Sequence, residues 1–151
     1  MIGSARYVHT NLIAHDWKKL ADFYEKVFGC VPVPPARDLS ESWLEKSTAV
    51  EGAHLVGMHL RLPGYGDNGP TLEIFSYKQS MELLPPAANR PGFGHIAFAV
   101  DDVEAAVQAV LDAGGSRLGE TVVVEIPKAG PLTFVYVTDP EGNIVELQRW
   151  E

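Results

Sequence analysis

The chain has 151 residues, a formal charge of −8 and 46% hydrophobic residues, which is the size of one ordinary domain with a substantial core. The acidic balance argues against a nucleic-acid partner, which rewards clustered Lys and Arg. No apolar run approaches the ~20 residues of a membrane span, Met1–Arg6 carries no apolar segment of a signal peptide, and the single cysteine, Cys30, allows no internal disulfide; a cytoplasmic protein with no membrane partner is expected.

In chain order, residues 5–13 alternate, with Tyr7, His9, Asn11 and Ile13 on one face and Val8, Thr10 and Leu12 on the other, as in a strand. Asp16 is placed to cap a helix whose apolar stripe is Trp17, Leu20, Ala21, Tyr24, Val27 and Phe28, and Gly29 stands where such helices end. A short strand over 30–33 is expected to be stopped by Pro32, Pro34 and Pro35. Residues 36–50 read as an insert, with a helical turn or two over 40–48 started by Ser40 and carrying Trp43 and Leu44. Strands at about 54–62 and 70–77 flank the Gly- and Pro-rich turn from Pro63 to Pro70.

Residues 78–91, with Pro85-Pro86 and Asn89-Arg90-Pro91, show no periodicity and read as a linker. A strand over 93–100 follows, then a helix from Asp102 through Val103, Ala106, Val107, Val110 and Leu111 to Gly114-Gly115. Strands near 121–126 and 132–138, the turn Asp139-Pro140-Glu141-Gly142-Asn143 and a last strand over 143–149 complete the chain.

The second half repeats the first. His9, Asp16 and Gly29 recur as His95, Asp102 and Gly115, each at an offset of 86 (95 − 9, 102 − 16, 115 − 29). Each copy ends in a strand-like run holding a glutamate, Glu73 in Thr71-Leu72-Glu73-Ile74-Phe75 and Glu146 in Ile144-Val145-Glu146-Leu147-Gln148. The chain is therefore read as α+β, two tandem βαβββ modules of a single domain over 5–150, with module one at 5–77 and module two at 92–150. A histidine on the first strand and a glutamate on the last, twice over, give two imidazoles and two carboxylates, a donor set suited to a divalent metal. Alternation sets Glu73 opposite Leu72 and Ile74, and Glu146 opposite Val145 and Leu147, so both carboxylates point away from the helix-packed faces.

The paired modules, Val8-His9-Thr10-Asn11-Leu12, Phe23-Tyr24 with Phe28-Gly29, Gly94-His95-Ile96-Ala97, and Asp139-Pro140-Glu141-Gly142-Asn143 before Glu146-Leu147 resemble the vicinal oxygen chelate superfamily. That group includes glyoxalase I, methylmalonyl-CoA epimerase, extradiol dioxygenases, and the fosfomycin and bleomycin resistance proteins. The resemblance implies a glyoxalase-like fold of curved mixed sheets forming a cup around one divalent metal ion held by His9, Glu73, His95 and Glu146. A fourth ligand at Glu73 resembles the glyoxalase I and epimerase branch rather than the His, His, Glu triad of the dioxygenases and fosfomycin enzymes.

The implied activity is that of a lyase or isomerase of the glyoxalase I (lactoylglutathione lyase) or epimerase type. It would act through the enolate or enediolate of a small carbonyl or thioester substrate, with Glu146 and then Glu73 as the catalytic bases. The ion could be Zn, Ni, Co, Mn or Fe, and a homodimer is implied. The alternatives are an extradiol-type dioxygenase and a small-molecule-binding, resistance-type protein. Tyr-x-Trp-Gly, which follows the first glutamate in glyoxalase I, is replaced here by Phe75-Ser76-Tyr77-Lys78, and no arginine set for glutathione stands out beyond Arg37.

Other residues read more plainly. Tyr136, ten positions before Glu146 (146 − 136), sits where extradiol dioxygenases place a tyrosine behind the metal ligands, yet its strand favours core packing. His59 and Arg61 share a strand face that could line the cleft and meet an anionic substrate but reads first as solvated, His15 and His54 read as solvent histidines at turns, and Trp43 reads as a local contact or a cover for the site.

Overall fold

The structure, a computed structural model, describes residues 3–151; Met1 and Ile2, at the start of the stretch read above as lacking a signal sequence, lie outside the described residues. The chain divides into two compact units, Met1–Glu82 and Leu83–Glu151. Residues 78–91 carry no helix or strand.

In the first unit the order is β1 (His9–Ile13), α1 (Trp17–Phe28), β2 (Val31–Leu39), α2 (Ser42–Thr48), β3 (Leu55–Arg61) and β4 (Thr71–Tyr77). The sheet runs β1-β4-β3-β2, with β1 parallel to β4 and the other pairs antiparallel. Asp16 caps α1 by accepting from the backbone N–H groups of Lys18 and Lys19, both at 3.1 Å. Gly29, at φ 67, closes the helix in the left-handed region that a side chain resists. Leu20, Ala21, Phe23 and Tyr24 are buried on the inner stripe of α1, which packs on β3 and β4. The expected apolar face of those strands, Leu60, Leu72 and Ile74, is fully buried.

The three prolines do not stop β2 as the sequence suggested. The strand runs nine residues through Pro32, Pro34 and Pro35, and residues 36–39 belong to it rather than to an insert. Two features make this tolerable. β2 is an edge strand, where a missing N–H costs no ladder bond, and its register with β3 shifts between Val33 and Arg37, where a bulge absorbs the irregularity. The inserted helix starts at Ser42, not Ser40, with no side-chain cap. Leu44 anchors it in a cluster with Ala53, Leu55 and Phe75, while Trp43 stays exposed.

The second unit contains β5 (Ile96–Ala99), α3 (Val103–Asp112), β6 (Ser116–Arg117), β7 (Val122–Ile126), β8 (Gly130–Thr138) and β9 (Ile144–Trp150). Its sheet runs β5-β9-β8-β6, with β7 also paired to β8. The two-residue β6 was not foreseen. β6 and β7 both lie along β8, so the strand that is bulged in the first unit is broken in the second. α3, capped by Asp102 through the Ala105 N–H at 3.0 Å, buries Val103, Val107 and Val110. It packs on β8 and β9, where Val135, Val137, Val145 and Leu147 are fully buried.

The repeated glycines do different work. At the end of α3 in the second unit the positive φ (90) falls on Gly114. Gly115 instead lets the chain pass close to β8, since a Cβ there would lie 2.4 Å from the Thr138 carbonyl oxygen.

Candidate functional site

Each unit brings one histidine onto one glutamate. In the first, β1 lies parallel to β4 with His9 opposite Thr71 and Asn11 opposite Glu73. This sets His9 Nε2 3.2 Å from Glu73 Oε2. In the second, His95 immediately precedes β5, which pairs Ala97 with Glu146 of β9, and His95 Nε2 lies 3.0 Å from Glu146 Oε2. The glutamates are sheltered, with side chains 17% and 13% exposed, whereas His9 and His95 are 41% and 38% exposed. A carboxylate this sheltered needs a donor or a cation beside it, and here an imidazole stands on its solvent side.

The opposite flank of each glutamate is occupied as well, by residues whose sequence reading favoured a solvated face and core packing. Across the antiparallel ladder the partner of Glu73 is His59 and the partner of Glu146 is Tyr136. His59 Nε2 lies 3.1 Å from Glu73 Oε1, the oxygen that His9 does not engage. Its Nδ1 is 3.3 Å from the Thr71 hydroxyl. Burial holds the His59 imidazole below its ordinary pKa, against the opposing pull of the Glu73 charge. Tyr136 stands directly across the ladder from Glu146, its ring centroid lies 5.0 Å from that of His95, and burial followed by the nearby Glu146 charge raises its phenol pKa.

His59 is thus not on a merely solvated face, nor does Tyr136 simply pack in the core. The missing signal was the pairing register. Once β3 and β4 are taken as a hairpin with Arg61 opposite Thr71, His59 must face Glu73.

The remaining polar residues are engaged elsewhere. Arg61 donates to Asp67 in the turn at 3.1 Å, and His54 pairs with Asp38 at 2.7 Å. Arg37 stands on β2 opposite Gly57 and donates to the Pro35 carbonyl. Phe75 shares the Glu73 face of β4 by alternation, with its ring 5.8 Å from His59. The cluster built on Leu44 therefore closes one end of that face.

The donors fit a divalent cation chemically. Imidazole nitrogen and carboxylate oxygen bind such ions at ~2.0–2.2 Å, so two of them at right angles on one ion stand ~3 Å apart, the spacing seen in both pairs. Among the described residues no group of three or more His, Cys, Asp or Glu side chains forms a metal cage by itself.

Tandem βαβββ units, each holding an imidazole against the carboxylate of its last strand, define a glyoxalase-type fold. A family model described as the glyoxalase/bleomycin resistance protein/dioxygenase superfamily matches residues 6–147, and the chain belongs to that superfamily. It is 28% identical over 149 residues to a probable lactoylglutathione lyase of Vibrio parahaemolyticus, covering 97% of this chain and 91% of the relative. It is 30% identical over 144 residues to the protein of the same name from Vibrio cholerae, covering 94% and 88%. Among solved structures, a glyoxalase family protein from Bacillus cereus superposes with a TM-score of 0.80 at 15% identity over 99% of this chain and 98% of that one. A fosfomycin resistance protein from Listeria monocytogenes, solved with manganese(II) and sulfate, gives a TM-score of 0.55 at 14% identity over 100% and 95%. At those identities the likeness is one of fold.

Proposed function

We propose that the protein is a metal-dependent lyase or isomerase, with His9, Glu73, His95 and Glu146 as ligands of one divalent ion. The observation that carries this reading is the pairing of a sheltered carboxylate with a more exposed imidazole at 3.0–3.2 Å, repeated in both units. The Vibrio relatives named probable lactoylglutathione lyase support the reaction class.

A bound divalent ion would supply the positive charge that makes a C–H bond beside a carbonyl acidic. Glu146 takes that proton and returns it to the substrate. Tyr136 stands across the ladder from Glu146 and His95 flanks its Oε2, so the two border the carboxylate while the proton is carried. Glu73, which lies between two imidazoles, serves as the secondary base. The substrate is a small carbonyl or thioester compound.

Metal analysis of the purified protein tests this reading. About one ion per chain is expected, falling sharply in His95→Ala; unchanged metal content in that variant overturns the ligand assignment.

A second reading, an extradiol-type dioxygenase, is favoured by Tyr136, which stands at the tyrosine position of those enzymes and directly across the ladder from Glu146. Catechol-dependent oxygen uptake with bound iron would select it, and an absence of metal would select a binding protein.

Within this proposal the protein works in the cytoplasm as a homodimer. The exposed Tyr7, Val8 and Ile13 of the first unit offer apolar surface for contact between copies. Among the described residues no helix is long and apolar enough to cross a membrane. Sedimentation showing only a 16.5 kDa species at micromolar concentration would exclude the dimer.

A further inference from the structure

The first unit contains a continuous relay of side chains that extends the His9–Glu73 pair beyond the four proposed ligands. It runs from the Thr71 hydroxyl to His59 Nδ1 (3.3 Å), from His59 Nε2 to Glu73 Oε1 (3.1 Å), and from Glu73 Oε2 to His9 Nε2 (3.2 Å). Each oxygen of Glu73 therefore has its own imidazole. Thr71, His59 and Glu73 stand on the two strands of one hairpin, β3 and β4, in continuous register from Leu55–Tyr77 to Arg61–Thr71. The His59 ring is further fixed by edge contacts with Phe75 at 5.8 Å and His9 at 6.1 Å between centroids. The second unit repeats the arrangement with a different donor, since Tyr136 occupies the cross-strand position opposite Glu146.

We propose that His59 is the positioning residue of Glu73. It donates from Nε2 to Oε1, its ring oriented by Thr71, and so leaves Oε2 as the oxygen that Glu73 presents beside His9. A ligand carboxylate held in this way keeps one orientation when the cation leaves and returns, which is what outer-sphere partners of metal ligands commonly do. This inference rests on the metal reading above for its consequence and not for its geometry.

The experiment has two arms. In the first, Co²⁺ affinity and the visible absorption of the Co²⁺-loaded protein are measured for wild type, His59→Leu and His59→Gln, each checked by circular dichroism and thermal melting. Removing such a partner typically weakens metal binding ~10–100-fold. His59→Leu should fall in that range with an altered visible spectrum. His59→Gln, which keeps an N–H donor of similar reach, should recover most of the affinity. Wild-type affinity and spectrum in His59→Leu would overturn the proposal, as would equal losses in both variants.

The second arm uses the metal-free protein at pH 8. Long-range ¹H–¹⁵N correlations should show His59 protonated at Nε2, with its signals displaced in Glu73→Gln and in Thr71→Val. An Nδ1-protonated ring, or signals unmoved by both substitutions, would overturn the positioning role. If wild type binds no Co²⁺, the metal reading fails and this second arm alone decides the role of His59.

Discussion

His59 and Tyr136 occupy one and the same lattice point of the repeat, each directly across an antiparallel ladder from the glutamate of the last strand. An imidazole stands there in one unit and a phenol in the other. The two carboxylates are thus equivalent by position and different by environment.

Glu146→Gln should keep an oxygen able to ligate a cation while losing most of its basicity. We expect metal content to be largely retained and turnover to drop ~10²–10⁴-fold, the usual worth of a general base. The check is deuterium incorporation at the α-carbon of methylglyoxal–thiol hemithioacetals and 2-methyl acyl-CoA thioesters in D₂O. Incorporation by wild type and not by the variant supports Glu146, and equal incorporation moves the base to Glu73.

Gly57→Ala should damage the first unit from inside its sheet. A Cβ at Gly57 would lie 2.1 Å from the Ile74 carbonyl oxygen and 2.3 Å from Phe75 Cδ1, so β3 or Phe75 must move. Overpacking of this kind costs about 3 kcal/mol. For a chain of this size that lowers Tm by ~6–12 °C. A melting point within a degree or two of wild type would show that Phe75 swings aside freely.

Asp139 fixes the turn that delivers Glu146. Its buried carboxylate accepts from the backbone N–H of Glu141 and Asn143, both at 2.9 Å, and from Asn143 Nδ2 at 2.8 Å. Asp139→Ala strands these donors, at a cost of about 2–3 kcal/mol. It should also reduce activity of the folded fraction by displacing β9. Urea unfolding with a midpoint unchanged from wild type would contradict this.

Cys30 is buried at the end of α1 and its thiol pKa is pushed up to about 12, first by burial and then by the Glu25 charge. The native protein should therefore resist Ellman's reagent at pH 8 and yield one thiol per chain only in denaturant. The unfolded chain releases this proton near the ordinary value of 9.0 while the native chain holds it. Stability from this group is accordingly intact below pH 9 and declines as pH climbs from there toward 12. Rapid labelling of native protein at pH 8 would refute the burial.

The sequence carried the repeat, both helices with their aspartate caps, and the His–Glu pairing within each unit. These are local or periodic signals: an offset shared by three residue types, a 3.6-residue stripe, and alternation along a strand. It did not carry β2 beyond Val33, because three prolines argue against a strand unless its place at the sheet edge is known. Nor did it carry the contributions of His59 and Tyr136. Those depend on which residues face each other across a ladder, and that is set by a turn of uncertain length rather than by the composition of either strand.

The prolines of β2 also bear on how the molecule behaves in concentrated solution. An open strand recruits a neighbouring chain through its free N–H groups, and Pro32, Pro34 and Pro35 offer none on this border of the first sheet. The corresponding border of the second sheet has no such protection: β7, Val122–Ile126, is proline-free and exposes Val122 and Val123. Strand-by-strand aggregation of destabilised variants should therefore begin at β7, and a lysine in place of Val123 should delay it.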